Sequence, residues 1–538
     1  MSHAGPAFVT NGWQEGAVRP CPPSVRGRTV RPVSTRAGRL AALGAAAGLG
    51  GVAAYDLLQR RHAILRNFPV VGHLRFLLEA VGPELRQYIV TDNDQERPFT
   101  RDQRRWVYTS SKQENSLTGF GTDNDLETTP EYLIVKHAAF PAHAAPAPHD
   151  VEVACAKVLG AAHGRPHAFR PRSIVNISAM SFGSLSGAAI EALNRGAAIA
   201  GCLHNTGEGG VSRHHEHGAE LIWQIGTGYF GCRDEHGEFD LDRLVAQVER
   251  SPIRAIEIKL SQGAKAGLGG VVPGEKVTEE IAAMRGVPVG EDCISPPYHR
   301  EFSDVDGLIG FVERIAGATG LPVGIKSAVG EQAFWDELAA RMVERGEGPD
   351  FVTIDGGEGG SGAAPLVFAD HVSLPFRIGF PRVYRSFAAA GLADDVVFIG
   401  AGKLGLPATA LMAMALGCDL VNVGREAMLS IGCIQAQRCH TGRCPAGVAT
   451  QTPWLERGLD PDLKSVRCAN YLRALRHEVL RLARACGRAH PAYVDLDCLE
   501  FVDDAAGARS ARDTFAYEPG WGVPPAVEVP VLVTTPDR

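Results

Sequence analysis

Three cysteines near residue 440 are the side chains in this sequence most able to carry out chemistry. Cys433, Cys439 and Cys444 lie in CIQAQRCHTGRCP, with five and four residues between them. Thiolates this close together in one loop can bind a single iron–sulfur cluster, and three ligands rather than four predict a 3Fe-4S cluster. Zinc would need a fourth ligand, for which His440 is the only local candidate. Three buried cysteines without a ligand are the remaining alternative.

A second group of residues could bind phosphate. Gly400, Gly402 and Gly424 belong to the last two candidate strands and the turns after them, VVFIGAG and CDLVNVG, and Arg425 follows directly. The late loops of parallel barrels commonly bind phosphate, and the Arg425 guanidinium could neutralise its charge. Glycines that only form turns are the alternative.

The elements that must position these residues alternate between short β-branched runs and helical stretches. The candidate strands are 173–180, 202–206, 255–261, 321–328, 350–357, 396–402 and 418–424. Helices are expected over 185–201, 241–250, 277–285, 304–317, 332–345 and 406–416, the one near 304 starting at Ser303 with Asp306 in a capping box. This alternation predicts a parallel sheet. An eighth strand within 220–232 would close it into a (β/α)8 TIM barrel over 151–452.

An open, doubly wound sheet would show a similar alternation. Nearly every candidate strand here ends in a glycine-rich or polar segment, which favours a barrel whose chemistry is spread over many loops. No GxGxxG opens a helix after the first strand, so a Rossmann nucleotide site is not indicated.

The segments outside the barrel carry weaker signals. Residues 1–39 contain arginines against a single acid, Glu15, and are expected to be a disordered basic lead-in. Residues 40–56 are apolar but shorter than the roughly 20 residues that span a bilayer, so a membrane helix and a buried or interfacial helix both stay open. Residues 57–150 are expected to be an irregular preface packed on the barrel, and 453–538 a helical extension with a tail.

Composition excludes one class of function and favours a compartment. The net charge of -7 and the pI near 6.2 give no sign of a nucleic-acid surface. Twelve cysteines in 538 residues are too few for a disulfide scaffold. We therefore expect a cytoplasmic protein, with an inner-membrane tether if residues 40–56 span the bilayer.

Eight motifs, in order, make the sequence similar to the synthase domain of glutamate synthase. They are ISAMSFGSLS, NTGEGG, KLSQGAKAGLGG, PGEKV, ISPPYH, GIKSAVG, DGGEGGSGAAP and the cysteine-rich GCIQAQRCHTGRCPAGVATQ. The resemblance covers roughly residues 140–500. One departure is Leu268, where the family usually has Glu, so a carboxylate of the family pattern is missing at this position.

The resemblance implies FMN in the barrel mouth and an oxidoreductase that works on it. The implied FMN-binding residues are Ala179, Met180, Ser181, Lys326, Gly356, Gly357, Gly400, Gly402, Gly424 and Arg425. Because Lys326 lies within the apolar run PVGIKSA, its buried ammonium needs an opposite charge, and a reduced flavin would supply one. A lysine that reaches solvent at the strand end is the alternative.

The implied reaction is the reductive amination of 2-oxoglutarate by ammonia, through 2-iminoglutarate, to L-glutamate. Gln262 and Lys265 match family positions around the substrate and supply the amide and cation that a dicarboxylate needs. Glu208 is the candidate acid–base group. Ferredoxin or a flavoprotein subunit would supply electrons through the cluster.

The residues leave two alternatives to this reaction. Methylamine could replace ammonia, which would make the enzyme an N-methylglutamate synthase. A membrane-anchored electron-transfer protein that aminates nothing is the other alternative, although Glu208, Gln262 and Lys265 argue against it. Fewer than 150 residues precede the barrel, too few for the family's amidotransferase domain. We therefore expect free ammonia, or ammonia from a separate amidotransferase chain, and no glutaminase activity.

Overall fold

The computed structural model describes residues 36–59, 61–91, 95–114, 117–142, 144, 146–503 and 507–535. The predicted lead-in, residues 1–39, lies outside this part of the chain except for its last four residues. The chain divides into two compact units, Met1–Val90 and Thr91–Arg538. The boundary between them falls inside the predicted preface.

The second unit is built on a closed barrel of eight parallel strands, which confirms the predicted TIM barrel. The strands are β1 Val175–Ile177, β2 His204–Asn205, β3 Leu221–Ile225, β4 Ile253–Lys259, β5 Val323–Ser327, β6 Phe351–Asp355, β7 Val397–Ala401 and β8 Leu420–Val423. Each pairs with the next along the chain, and β8 pairs with β1. β3 is the strand expected within 220–232. Every residue of β3, β5, β6, β7 and β8 is buried, as in a sheet covered on both faces.

A carboxylate lies inside this barrel. Glu257 of β4 is fully buried and accepts hydrogen bonds from Asn205 Nδ2 at 2.7 Å, Gln224 Nε2 at 2.7 Å and Thr353 Oγ1 at 2.6 Å. A buried carboxylate is costly unless its oxygens are hydrogen-bonded. These bonds tie strands β2, β3, β4 and β6 together beneath the barrel mouth.

The described residues contain seventeen α-helices, of which the fifth to the thirteenth alternate with the barrel strands or follow the last of them. They are α1 Arg36–Leu58, α2 Ala63–Asn67, α3 Gly72–Leu85, α4 Arg101–Lys112, α5 Gly187–Ala200, α6 Leu241–Arg250, α7 Glu279–Arg285, α8 Val305–Thr319, α9 Ala333–Arg345, α10 Leu366–His371, α11 Phe376–Ala389, α12 Pro407–Ala415, α13 Arg425–Ser430, α14 Pro453–Glu456, α15 Pro461–Ala485, α16 Ala511–Phe515 and α17 Val529–Leu532. The predicted cap of α8 was one residue early: Asp304, not Ser303, accepts the Gly307 amide at 2.7 Å.

The C-terminal extension packs on the barrel through α15, which lies against α4, α5 and α12. Arg476 of α15 is buried and donates to the Ala200 carbonyl at the end of α5 at 2.9 Å. Short antiparallel strands at Leu133–Val135, Leu499–Val502 and Ala508–Ser510 form a small separate sheet. Further two-residue strands are Glu152–Val153, Val271–Val272, Cys293–Ile294 and Val533–Thr534.

The first unit contains helices α1, α2 and α3. The apolar part of α1 runs from Gly38 to Leu58, 21 residues with a mean hydropathy of 1.4, which is long enough to cross a bilayer. The helix extends beyond the predicted 40–56 segment at both ends. A signal sequence or a core helix of a soluble protein can have the same length and hydropathy.

Candidate active site

A cavity of about 850 Å³ opens at the carboxyl ends of the barrel strands. Catalytic residues of TIM barrels lie at this face because the loops after all eight strands meet there. Most residues predicted from the sequence line the cavity: Ala179, Met180, Ser181, Glu208, Gln262, Lys265, Lys326, Gly357, Gly402, Gly424, Arg425, Cys433, Cys439 and Cys444. The loops thus bring together residues that are up to 265 positions apart in the sequence, from 179 to 444.

Two predicted glycines have other positions. Gly400 lies within β7, where an added Cβ would be 2.8 Å from Leu404 Cδ1 and 2.9 Å from Cys418 Sγ. It allows close packing of the barrel wall and does not line the cavity. Gly356 follows β6, and a Cβ there would lie 2.6 Å from the Phe376 nitrogen, so this glycine lets α11 approach the strand end.

An ion pair at the end of β4 holds the candidate acid–base group. Lys259 Nζ lies 2.7 Å from Glu208 Oε1 and donates to Gln262 Oε1 at 3.2 Å. Burial alone would raise the pKa of Glu208, but the Lys259 and Lys265 cations outweigh it and lower that pKa to about 2. Glu208 is therefore an anion at neutral pH, able to bind a cation but not to donate a proton.

Lys265 and Arg285 are buried cations near this ion pair. Lys265 Nζ donates to the Gly269 carbonyl at 3.2 Å, and Arg285 Nη2 donates to the Phe182 carbonyl at 2.9 Å. Within the described residues neither has a carboxylate at ion-pair distance, and Arg285 Nε is buried without a hydrogen-bond partner. Burial and the Lys259 cation lower the pKa of Lys265 to about 8. These cations can therefore bind an anionic ligand.

Lys326 lines the cavity and has a carboxylate partner in the protein, while its contact with a flavin stays a prediction. Its Nζ lies 3.4 Å from Asp355 Oδ2 across β5 and β6. Burial alone would lower the pKa of Lys326, but Asp355 and Glu257 raise it above its usual value. The ammonium is thus charged and already balanced. Asp355 was missed in the sequence because the lysine and the aspartate are separated by a whole helix.

A glycine-lined wall follows β7 and β8. Gly402 has φ +123, and a Cβ there would lie 3.2 Å from Gly356 Cα; at Gly424 a Cβ would lie 3.4 Å from Met180 Cε. Asn422, which also lines the cavity, has a buried side-chain oxygen without a hydrogen-bond partner among the described residues. A ligand that donates a hydrogen bond could satisfy it.

Two cations stand at this wall. Lys403 Nζ and the Arg425 guanidinium lie 5.2 Å and 5.1 Å from the centre of the Phe99 ring. Burial lowers the pKa of both, and the Arg425 charge further lowers that of Lys403. Lys403 was not singled out in the sequence, although it directly follows Gly402. The pair could bind a phosphate.

The three cysteines border the same cavity. Tyr108 Oη donates to the Cys433 carbonyl at 2.8 Å, and Lys276 Nζ donates to the carbonyls of Ser184 at 2.7 Å and Cys439 at 3.4 Å. Burial raises the pKa of Cys433 to about 12, and the neighbouring Cys439 and Cys444 act in the same direction. In the part of the chain described, no three His, Cys, Asp or Glu side chains stand close enough to hold a metal ion. The three thiols are therefore near one another without being arranged to bind one metal ion together.

Comparison with known proteins decides the family. A family model described as the conserved region in glutamate synthase matches residues 151–489. The chain belongs to the glutamate synthase family. This match contains the whole barrel and the cysteine-rich loop, and glutamate synthases are oxidoreductases. The sequence resemblance, the fold class and the enzyme class are thereby confirmed.

Glutamate synthase relatives differ in how much of their length the chain spans. The glutamate synthase large subunit-like protein YerD of Bacillus subtilis (strain 168) is 38% identical over 471 residues, 81% of this chain and 89% of that protein. The archaeal-type glutamate synthase [NADPH] of Thermotoga neapolitana is 38% identical over 316 residues, 58% of this chain and 59% of that protein. A solved mandelate oxidase structure is 15% identical, covers 77% of this chain and 91% of its own, and has a TM-score of 0.41.

Proposed function

We propose that this glutamate synthase-like chain makes L-glutamate from 2-oxoglutarate and ammonia, using FMN and a 3Fe-4S cluster. The observation that supports this most is the pair of buried cations, Lys265 and Arg285, that have no carboxylate partner among the described residues and stand beside the anion Glu208. Two cations match the two carboxylates of 2-oxoglutarate, and an anion matches an ammonium ion.

The glycine-lined wall fits FMN. Lys403 and Arg425 would bind the phosphate of FMN. The Asn422 oxygen, which has no hydrogen-bond partner among the described residues, would accept a hydrogen bond from a donor group elsewhere on FMN. Residues 179–181 and Gly357 would line its ring. When bound, FMN would supply the hydride for reduction of the imine.

The side chains of this protein would act on the substrates in a definite order. Lys265 and Arg285 hold the carboxylates of 2-oxoglutarate, which fixes the position of its keto carbon. Glu208 holds the ammonium ion or the positively charged imine carbon–nitrogen group, and Gln262 orients Lys259 against it. Ammonium loses a proton as ammonia adds to the keto carbon, and that proton returns to the adduct as water leaves, which gives protonated 2-iminoglutarate with its charge balanced by Glu208. The hydride that FMN would supply when bound would then convert the imine to the amine of glutamate, with no further proton needed.

The thiols of Cys433, Cys439 and Cys444 fit an iron–sulfur cluster, because they are soft donors on one wall of the cavity. Such a cluster would pass electrons between the donor and the barrel mouth. Ferredoxin or a flavoprotein subunit is the proposed donor, and a separate amidotransferase chain a proposed source of ammonia. Helix α1 is proposed to tether the protein to the inner membrane with the barrel on the cytoplasmic side.

The test is an assay of the purified full chain with 2-oxoglutarate and a reduced viologen dye under anaerobic conditions. Ammonium, methylamine and glutamine are supplied in turn, and products are identified by mass spectrometry. We expect glutamate with ammonium. N-methylglutamate as the main product, or no amination with any nitrogen source, would contradict the proposal.

A further inference from the structure

Helix α3 carries an apolar stripe that no described residue covers. Leu74, Leu77, Leu78, Val81 and Leu85 are 39–57% exposed. Their spacing of three and four residues places them on one side of the helix, within an arc of about 100° at 100° per residue. Ile89, which is 72% exposed, continues the stripe into the π-helical turn Arg86–Val90.

The opposite side of α3 is polar. Arg75 and Glu79 form an i,i+4 ion pair at 2.7 Å, and both side chains are more than half exposed. The helix is therefore amphipathic over the turns that contain this ion pair. A helix of this kind suits a membrane surface, where apolar acyl chains lie beneath charged headgroups.

A buried contact fixes where α3 begins relative to α1. Asp56 is fully buried, accepts the Val70 amide at 2.8 Å and lies 2.9 Å from His73 Nε2. Asp56 stands two residues before the end of the apolar span at Leu58. If α1 crosses a bilayer, this contact holds the first turn of α3 at the depth where the hydrocarbon meets the headgroups.

The short segment between the two helices matches such a boundary. Arg61 and Arg66 are exposed, as are the apolar Phe68 and Val71 in the turn that follows α2. Arginines are attracted by anionic headgroups, and exposed apolar side chains next to them can enter the acyl layer.

We propose that α3 lies in the plane of the bilayer surface, with its apolar stripe on the acyl chains and its polar side in water. The inference rests on the proposed tether, because α1 supplies the anchor from which α3 extends. The partner is a lipid surface with anionic headgroups. The first unit would then be anchored to the membrane by a transmembrane helix, α1, and an in-plane helix, α3.

The test measures lipid exposure at single positions in the full chain. A keto-bearing unnatural residue, labelled with a nitroxide through an oxime, leaves the native cysteines untouched. Labels replace residues 74, 75, 77, 78, 79, 81 and 85 one at a time, with position 49 in α1 as the reference. The protein is reconstituted in vesicles of phosphatidylcholine and phosphatidylglycerol, and collision rates with oxygen and with a water-soluble nickel chelate are compared.

We expect the oxygen-to-nickel ratio to be several-fold higher at 74, 77, 78, 81 and 85 than at 75 and 79, and highest at 49. Equal nickel access around α3 with position 49 in lipid would overturn the in-plane helix and leave the tether intact. Position 49 in water would refute the tether itself. Protection of the stripe from both reagents would mean that protein covers it, a second copy included, and would also overturn the proposal.

A variant pair checks that the stripe causes the insertion. Leu74→Ser, Leu78→Ser and Val81→Ser together should bring a label at position 85 into water while position 49 stays in lipid. Arg75→Gln with Glu79→Gln, on the polar side, should change neither. If the label at position 85 stays in lipid in the triple variant, the apolar stripe does not cause the insertion of α3.

Discussion

Lys265 combines burial with a nearby cation, so its charge depends on pH near the physiological range. The ammonium is the charged form below its pKa of about 8, and the neutral amine dominates above it. Arg285, the other cation of the candidate substrate site, keeps its charge throughout because guanidinium groups do not lose their proton in proteins. Only one of the two substrate carboxylates should therefore lose its partner as the pH rises.

The first prediction follows from that difference. KM for 2-oxoglutarate should be constant below pH 8 and rise above it, by up to about tenfold per pH unit, as Lys265 loses its proton. KM is measured from pH 6.5 to 9.5 with free ammonia held constant, so that ammonium ionisation does not contribute. Lys265→Arg should remove the rise. A wild-type KM that does not change over this range would refute the assigned role.

Glu208 gives the second prediction. Glu208→Gln keeps the shape of the side chain but removes the anion that faces Lys259 at 2.7 Å. Glutamate formation should fall by about 10²-fold or more, while flavin content stays unchanged. Glu275→Gln, an exposed carboxylate in the nearby PGEKV segment, is the matched control and should retain activity. Wild-type turnover in Glu208→Gln would return this residue to a structural role.

The third prediction concerns the cysteine-rich loop. Cys439→Ser replaces a soft thiolate with a hard hydroxyl, so the purified protein should lose iron and acid-labile sulfide but keep its flavin absorbance. Cys498→Ser, a partly exposed cysteine outside the loop, should keep both. Zinc without iron in the anaerobically purified wild type would rule out the cluster.

At the scale of elements, the contact between α5 and α15 depends on a glycine. A Cβ at Gly196 would lie 2.6 Å from Cys468 Cβ and 3.0 Å from the Ser465 carbonyl oxygen. Gly196→Ala should therefore lower the free energy of unfolding by about 1–3 kcal/mol, although alanine is the better helix former.

The control for this prediction lies on another barrel helix. No atom of the described part of the chain lies within 4 Å of a Cβ added to Gly310 in α8, so Gly310→Ala should stabilise the protein by about 0.5–1 kcal/mol. Both variants are compared with wild type by urea unfolding, with the slope required to stay constant. An unfolding midpoint for Gly196→Ala at or above wild type would show that the helices can move apart at no cost.

The sequence predicted the secondary-structure elements more accurately than the contacts between distant side chains, for a physical reason. Hydrophobic periodicity and turn residues are local, so helix α6 was predicted at its observed bounds and β3 within the expected window. Charge partners are set by the closure of the barrel. Asp355 faces Lys326 from the next βα unit, and Arg285 follows Lys265 by 20 residues in the segment after β4, so no local pattern links either pair. The predicted N-cap of α8 was wrong by one residue because the adjacent Ser303 and Asp304 are both good N-cap residues.

At the scale of the whole molecule, buried histidines should make stability depend on pH. His215 Nδ1 lies 3.2 Å from the Ser212 amide and its Nε2 lies 2.9 Å from the Met180 carbonyl oxygen. His490 repeats this arrangement, with the Ala492 amide at 3.1 Å and the Ala154 carbonyl oxygen at 3.0 Å. Each ring must therefore be neutral, with its proton on Nε2. A second proton on Nδ1 would break the bond from the amide.

Burial lowers the pKa of both His215 and His490 to about 4, well below the ordinary value of 6.5. Between these values the unfolded chain binds protons that the folded protein does not, so stability is fully present above pH 6.5 and falls as the pH drops toward 4. Each ring contributes roughly 3 kcal/mol over that window. Because His215 holds the loop after β1 and His490 holds the C-terminal extension, acid should weaken both regions of the protein together.

The last prediction is that both rings stay neutral at pH 5 in the folded protein, while stability has already fallen. Hydrogen–deuterium exchange at histidine C2, followed by mass spectrometry from pH 4 to 8, reports the titration of each ring, with exposed His236 as the solvent reference. Guanidinium unfolding at pH 7 and pH 5 measures the loss of stability. Titration of His215 or His490 near pH 6.5 in the native protein would contradict the assigned tautomers, and equal stability at the two pH values would mean that neither ring is linked to folding.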